Sequence, residues 1–372
     1  MIKREIEIEK LARKGKALLI MGPRRVGKTT SMKDFLEKSG ATYKLFDGTM
    51  ESARRNFSVN EFASLNRLVG TAEILAIDEA QYIENVGNSL KILTDHRPDL
   101  TVIATGSSSF DLLGQVGEPL VGRSKTCLMY PISVKEYLGD DYAKWQLERG
   151  QLLVYGMYPD VLTAKSDGER RDFLVELVNK LLLRDVLTFQ EVKGSDVIFR
   201  LLQLLAFQVG SEVSIEELGN SLGISKNTVN RYIDLLKKAY ILFELSGFSR
   251  NLRSEITKKS KYFFFDNGIR NALINNFNGI ELRDDVGRLW ENFALVERMK
   301  RREYSKIYAN QYFWRTYSGN ELDLVEERDG KLFGYEFKWA KTGEMPKEWR
   351  EAYGAEAEFL SVNRDNFLDF VG

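Results

Sequence analysis

The chain has 372 residues, 43% hydrophobic and 29% charged, and its 54 basic and 54 acidic side chains cancel. That length predicts about two to four domains, and zero net charge speaks against a protein that coats nucleic acid with its whole surface, while leaving a local basic face open. One cysteine, Cys127, excludes an internal disulfide, and one histidine, His96, excludes a His-rich metal site. The N-terminal segment is charged from Lys3 onward and is not read as a signal peptide. Apolar runs such as Leu201–Phe207 fall well short of the roughly 20 residues that span a membrane. The expectation is a cytoplasmic protein with no membrane partner.

Residues 1–150 alternate short apolar strands with helical stretches, the pattern of a parallel sheet covered by helices. Strands are predicted at Ala17–Met21, Thr42–Phe46, Ile74–Ile77, Thr101–Ala104 and Lys125–Tyr130. After the first strand and before a helical stretch, Gly22-Pro23-Arg24-Arg25-Val26-Gly27-Lys28-Thr29 satisfies G-x-x-x-x-G-K-[ST]. Glycines in such a loop let backbone N–H groups converge on phosphate oxygens, and the following helix adds its positive end. Lys28 can neutralise charge on the β- and γ-phosphates, the Thr29 hydroxyl suits Mg²⁺, and Thr30 closes the segment. ATP with Mg²⁺ is the expected ligand.

The third strand ends in Asp78-Glu79. There Asp78 is placed to hold Mg²⁺, usually through water, and Glu79 to orient and deprotonate the attacking water. Ser107, in Thr105-Gly106-Ser107-Ser108-Ser109, can sense the γ-phosphate or belong to an ordinary Ser/Gly turn. Arg123, just before the fifth strand, can serve a neighbouring subunit's ATP as a finger, implying a homo-oligomer, or be a plain surface arginine.

These motifs, with Ile77-Asp78-Glu79-Ala80-Gln81, Gly122-Arg123 and Tyr130-Pro131-Ile132-Ser133 following in order, resemble those of a prokaryotic AAA+-type ATPase family. Tyr155-Gly156-Met157-Tyr158-Pro159 and Arg184-Asp185 are similar to later motifs of that family, whose members usually carry two glycines where Gly156-Met157 stand here. The resemblance implies a P-loop NTPase core of AAA+ type, then a C-terminal region of unknown function containing a winged helix and a restriction-endonuclease-like fold. The implied α/β architecture is an ATPase core at 1–150, a helical lid at 151–195, a winged helix-turn-helix at 196–255 and an endonuclease-like domain at 256–372.

Within the third segment, Ser214–Leu222 reads as a short helix, Gly223-Ile224-Ser225 as a turn and Lys226–Ala239 as a second helix. Val229, Ile233 and Leu236 form its buried stripe, which turns Lys226, Asn227, Asn230 and Arg231 outward with side chains suited to phosphates or base edges. Tyr240–Leu245 follows as the wing strand. Double-stranded DNA is the expected partner, with packing between domains as the alternative use of this fold.

Near the C-terminus, strands Glu321–Glu326 and Lys331–Lys338 flank Asp329-Gly330, a two-residue hairpin signal. Pairing Arg328 with Lys331 sets Asp323 opposite Glu336, two like charges that a divalent cation would reconcile. Lys338 projects from the same face, and Glu291 on the preceding helix can complete a metal shell. This layout is similar to the restriction-endonuclease-like superfamily, which implies Asp323, Glu336 and Lys338 as a catalytic set with Glu291 as accessory ligand. The bland alternatives are ion pairs of Lys338 with Glu321 and of Glu336 with Arg315. A nucleotide-gated switch that binds DNA or a protein without cutting therefore stands beside a nuclease. Basic residues Arg298, Lys300, Arg301, Arg302, Lys258, Lys259 and Lys261 are candidates for a phosphate-binding face. Tyr262–Phe265 and Tyr312–Trp314 are expected to pack in the core.

Overall fold

Three strands of the first sheet are apolar at successive rather than alternate positions, as strands covered on both faces must be. They are β1 (Ala17–Met21), β3 (Ile74–Asp78) and β4 (Thr101–Gly106), buried along nearly their whole length. β2 (Tyr43–Asp47) and β5 (Ser124–Leu128) are the more exposed edges. The sheet runs β2-β3-β4-β1-β5, with every neighbouring pair parallel. The computed structural model describes residues 2–107, 120–182, 195–248, 260–316, 318–354 and 357–372. Helices α1 (Lys28–Lys38) and α2 (Val86–His96) belong to this sheet's surroundings. Leu19, Leu75, Ile77 and Val102 from the strands meet Phe57, Leu65, Leu90 and Leu93 from the helices in one core.

The chain forms two compact units, residues 1–131 with 238–240, and residues 132–237 with 241–372. Residues 132–150, grouped with the first domain by sequence, thus belong to the second unit. Long-range bonds hold them there: the Ile132 N–H donates to Met157 O at 2.9 Å, and Lys300 Nζ donates to Ile132 O at 2.9 Å.

The second unit contains helices α3 (Tyr142–Tyr155), α4 (Ser195–Phe207), α5 (Ile215–Leu222), α6 (Lys226–Lys238), α7 (Asn267–Leu273), α8 (Val286–Ser305), α9 (Lys347–Tyr353) and α10 (Phe367–Val371). Its strands are β6 (Glu212–Val213), β7 (Leu242–Gly247), β8 (Ser260–Phe264), β9 (Asn310–Arg315), β10 (Glu321–Arg328), β11 (Lys331–Phe337) and β12 (Ala357–Val362). They form one sheet in the order β12-β11-β10-β9-β7-β8-β6. Ser214 caps α5 through the Glu217 N–H, and Gly223 ends it in the left-handed conformation. Ser225 accepts from the Thr228 N–H at 3.2 Å at the start of α6.

The hairpin of β10 and β11 turns at Asp329 and Gly330, both at positive φ, as a tight two-residue loop requires. Its register, from Leu324 opposite Tyr335 to Arg328 opposite Lys331, is the one the sequence predicts. Trp145 of α3, Trp290 and Phe293 of α8 and Phe367 of α10 form an aromatic cluster, with Trp145 and Phe367 centroids 4.8 Å apart. Phe263 and Phe264 are fully buried, and Phe313 and Trp314 nearly so, in keeping with a core role.

The Tyr155-Gly156-Met157 motif has a packing reason. Gly156 sits at φ +75°, and a Cβ there would collide with the Asp266 carboxylate. That carboxylate accepts from the Met157 N–H at 2.7 Å and the Gly268 N–H at 2.8 Å. Burial pushes its pKa up to about 6, against the opposing pull of those N–H groups and of Lys300. Arg184-Asp185, Ser108, Ser109, Lys258 and Lys259 lie outside the described residues. No helix among the described residues is long and apolar enough to cross a membrane.

Candidate functional site

At the end of β1 the chain turns through Gly22 (φ +144°), Arg25 (φ +64°) and Gly27 (φ +100°) into α1. Pro23 and Val26 are buried, while Arg25 and Thr30 are exposed at the start of the helix. Lys28 is buried, and its Nζ donates to the loop carbonyls of Gly22 at 2.8 Å and Pro23 at 2.7 Å. A positive group and an 11-residue helix N-terminus thus share one short loop, an arrangement that accepts an anion. Arg24 Nη2 donates to Tyr82 Oη at 2.5 Å.

The end of β3 lies beside this loop. Thr29 Oγ1 is 2.9 Å from both carboxylate oxygens of Asp78, a contact across 49 residues of chain. Thr105 Oγ1 donates to Asp78 Oδ1 at 2.5 Å and accepts from the Glu79 N–H at 3.0 Å. Glu79 Oε2 receives Gln81 Nε2 at 2.5 Å and Ser107 Oγ at 3.3 Å. Thr29 and Asp78 offer the hard oxygen donors that Mg²⁺ prefers, so the residues present fit a Mg²⁺–nucleotide.

The expected metal ligands of the second unit are arranged differently. Lys261 of β8 is buried at 3% exposure, with Nζ 3.4 Å from Glu291 Oε1. Burial works to lower the Lys261 pKa, but Glu291, Asp323 and Glu321 outweigh it and hold the pKa above its ordinary value. Burial, and then the charge of Asp323, raise the carboxyl of Glu291; burial likewise raises that of Asp323. Two further carboxylate oxygens have partners. Asp323 Oδ2 accepts from the Phe337 N–H at 2.7 Å, and Glu336 Oε1 lies 2.7 Å from Lys338 Nζ. Glu291 Oε2 would be 2.6 Å from a Cβ on Gly210, and Glu336 Oε2 2.6 Å from one on Gly343.

Among the described residues, no group of three or more His, Cys, Asp or Glu side chains is arranged to hold a metal ion. In the structure Lys261 lies against Glu291 and Lys338 against Glu336, two of the three carboxylates expected to form a metal shell. The ion pairs imagined for Lys338 with Glu321 and for Glu336 with Arg315 are also replaced, since Lys338 pairs with Glu336 and Arg315 with Glu212 at 3.3 Å.

The basic cluster changes meaning too. Arg298 makes a two-pronged contact with buried Glu326 at 2.9 and 2.7 Å, and Arg302 Nε lies 3.7 Å from the same carboxylate. Lys300 pairs with Glu297 at 2.5 Å in the interior. Arg298 and Lys300 are buried and offer no phosphate-binding face, while Arg301 and Arg302 are half-buried. On α6, Lys226, Asn227, Asn230 and Arg231 are exposed, while Val229, Ile233 and Leu236 are buried.

With this geometry in hand, the comparisons separate the two halves. Residues 14–138 match the AAA domain family. An AAA domain is a nucleotide-binding ATPase module, so nucleotide binding with ATP hydrolysis is the activity this match indicates. Residues 147–279 match a domain of unknown function (DUF8612), and residues 286–368 another (DUF4143). Uncharacterized proteins of Mycobacterium tuberculosis and Mycobacterium bovis are each 28% identical over 342 residues, covering 90% of this chain and 73% of their own. An uncharacterized protein of Methanocaldococcus jannaschii is 24% identical over 344 residues, covering 87% and 74%. A solved Thermotoga maritima RuvB variant aligns over 64% of this chain and 83% of its own, at 16% identity and a TM-score of 0.30, a likeness too slight to carry an argument.

Two arginines of the AAA domain complete the description. Arg123 precedes β5 at the edge of the sheet where β1 begins, whereas the phosphate-type loop leaves from the far end of β1. A five-residue strand separates those edges by roughly 16 Å, so Arg123 does not reach its own chain's loop. Its Nε is instead paired with Asp95 of α2, whose carboxyl it holds below the ordinary range. Sequence reasoning missed Arg4. Its Nη1 donates to Val26 O at 2.6 Å and its Nη2 to Tyr130 O at 2.7 Å, clipping the loop to the segment after β5. No local signal could have found it, because both partners are backbone carbonyls distant in the chain.

Proposed function

We propose that this protein is a cytoplasmic, Mg²⁺-dependent ATPase whose nucleotide state governs how its second unit engages double-stranded DNA. The observation that carries the ATPase reading is the meeting of Thr29 with Asp78 beside a buried Lys28. Residues Gly22–Thr30 bind the phosphates through loop N–H groups and the helix start, with Lys28 answering their negative charge. Thr29 and Asp78 hold Mg²⁺, which supplies charge neutralisation on the phosphate oxygens. Glu79 orients a water and takes its proton as the water attacks the γ-phosphate, and Ser107 contacts the phosphate being transferred. Arg123, out of reach of its own loop, serves a second copy of the chain, which makes the working form a homo-oligomer.

For the second unit we read residues 151–195 as a helical lid, 196–255 as a winged helix and 256–372 as an endonuclease-like fold. Support for the winged helix comes from the order β6, α5, α6, β7, β8, with β8 antiparallel to both β6 and β7. The exposed face of α6 is the DNA-reading surface in this account. Of the two expected activities for the C-terminal carboxylates, we take binding without cleavage, a reading supported by the lysine partners of Glu291 and Glu336.

The deciding experiment is ATP turnover by the parent and by Lys28→Ala, with and without duplex DNA. Loss of ATP binding and hydrolysis in the variant, and a change of parent rate on adding duplex, are expected. A variant that hydrolyses ATP at the parent rate ends the ATPase reading. Cleavage is checked by incubating plasmid with Mg²⁺ or Mn²⁺. Nicking that disappears in Asp323→Ala would restore the nuclease.

A further inference from the structure

We propose that Gln81 is a positioning residue for ATP hydrolysis, holding the carboxylate of Glu79 where it can activate water. This rests on the reading of the first unit as an ATPase, and it concerns a residue that neither the P-loop motif nor the acidic pair includes.

The backbone of Glu79 is fixed before its side chain is considered. Glu79 leaves β3 in the left-handed region at φ +49°, uncommon for a residue with a long side chain. Its carbonyl lies so close to Gly48 that a Cβ on Gly48 would collide with it, and its N–H donates to Thr105 Oγ1 at 3.0 Å. The side chain still has its own torsions to settle. Gln81, two residues on in the middle of the short turn Ala80–Tyr82, settles them.

The amide nitrogen of Gln81 donates to Glu79 Oε2 at 2.5 Å and to Ser107 Oγ at 2.9 Å, and Ser107 Oγ lies 3.3 Å from the same Oε2. An amide nitrogen has two hydrogens, and both are used here. The flipped amide would set its oxygen against a carboxylate, so the orientation is dictated by charge. Gln81 is 5% exposed, and its Oε1 is buried with no hydrogen-bond partner. A side chain present only to fill volume would be apolar and would avoid that unfavourable burial. The arrangement makes sense if the donor nitrogen is what the site needs.

The chemistry of the donor fits the task. A lysine or arginine in this place would hold Glu79 equally well but would suppress its basicity through a full positive charge. A neutral amide orients the carboxylate through a hydrogen bond without placing a positive charge beside it. Gln81 also joins Glu79 to Ser107 in one triangle, so the group that takes the proton and the group facing the γ-phosphate are set relative to each other.

The test is a double-mutant cycle on the full chain, reading steady-state ATP turnover and ATP affinity. Gln81→Met fills the same volume without donors, so it is expected to fold with an unchanged melting temperature. Its kcat should fall about tenfold, with the ATP dissociation constant within about twofold of the parent. In a Glu79→Ala background the same change should produce no further loss, because Gln81 acts through Glu79. Gln81→Asn, which keeps the amide on a shorter stem, should recover part of the rate. An unchanged kcat in Gln81→Met, or an equal loss in the Glu79→Ala background, overturns the proposal. A parent that does not turn ATP over, or whose turnover survives Lys28→Ala, instead removes the ATPase reading, and this inference with it.

Discussion

Gly22 and Met129 stand too close for a side chain between them: a Cβ on Gly22 would collide with the Met129 carbonyl oxygen. Met129 in turn donates its N–H to Met21 O at 2.7 Å, so β1 and the segment after β5 are joined where the loop departs. Gly22→Ala forces these backbones apart and adds strain at φ +144°. Overpacking of this kind costs about 1–3 kcal/mol. The expected outcome is a lower melting temperature together with a loss of nucleotide affinity of at least about tenfold. A thermal melt reads the first and calorimetric titration with ATP the second, and parent-like binding would contradict the assignment of the loop.

Asp78 receives hydroxyls from Thr29 and Thr105, and in the proposed reading its carboxylate serves the Mg²⁺ of the nucleotide. Asp78→Asn preserves the shape and removes the charge. Turnover should fall by roughly a hundredfold, and the Mg²⁺ concentration for half-maximal rate should rise. An identical Mg²⁺ titration in the two proteins would place the cation elsewhere.

The Arg123–Asp95 pair lies at the edge of the sheet remote from its own loop. If Arg123 serves a neighbouring copy, Arg123→Ala and Lys28→Ala are each inactive alone but restore activity when mixed, because some interfaces then combine an intact loop with an intact arginine. Mixing the purified variants at several ratios checks this, and no recovery at any ratio rules out action between subunits.

Asp266 supplies a pH dependence. Its pKa is raised from 3.8 to about 6 in the folded protein. The sign follows from linkage: its contribution is fully present below pH 3.8 and is lost as pH rises through about 6. Between pH 4 and 7.5 the parent should lose roughly 3 kcal/mol relative to Asp266→Asn. Urea unfolding of both proteins across that range measures the difference. Parallel curves would mean that the carboxyl is already ionised in the fold at low pH.

If α6 reads duplex DNA as proposed, its exposed face sets the form of that binding. Lys226→Ala and Arg231→Ala should each weaken duplex binding and lower the slope of log affinity against log salt by about one. Fluorescence anisotropy at several salt concentrations tests this. Unchanged affinity in the double variant would return the helix to a packing role.

The nucleotide loop, the Asp329-Gly330 hairpin and the two helices joined at Gly223-Ile224-Ser225 were legible because each is local, with its residues within a few positions of one another. The buried stripe of α6 was legible for the same reason, since helical period alone sorts Val229, Ile233 and Leu236 from Lys226 and Arg231. The basic cluster around Arg298 was misread because composition counts charges without saying where they point, and Glu326, 28 residues away, takes Arg298 inward.

By itself, the amino-acid sequence determined the phosphate-type loop, the acidic end of the third strand and the succession of the five strands of the first sheet along the chain. Only the tertiary structure decided that Arg4 braces the loop, that Gln81 grips Glu79, and that Lys261 reaches Glu291 across 30 residues to answer the C-terminal carboxylates. The physical reason is range. Backbone preferences and side-chain periodicity act over a few residues and can be read in order, whereas ion pairs and buried hydrogen bonds depend on distances that exist only once distant segments have packed.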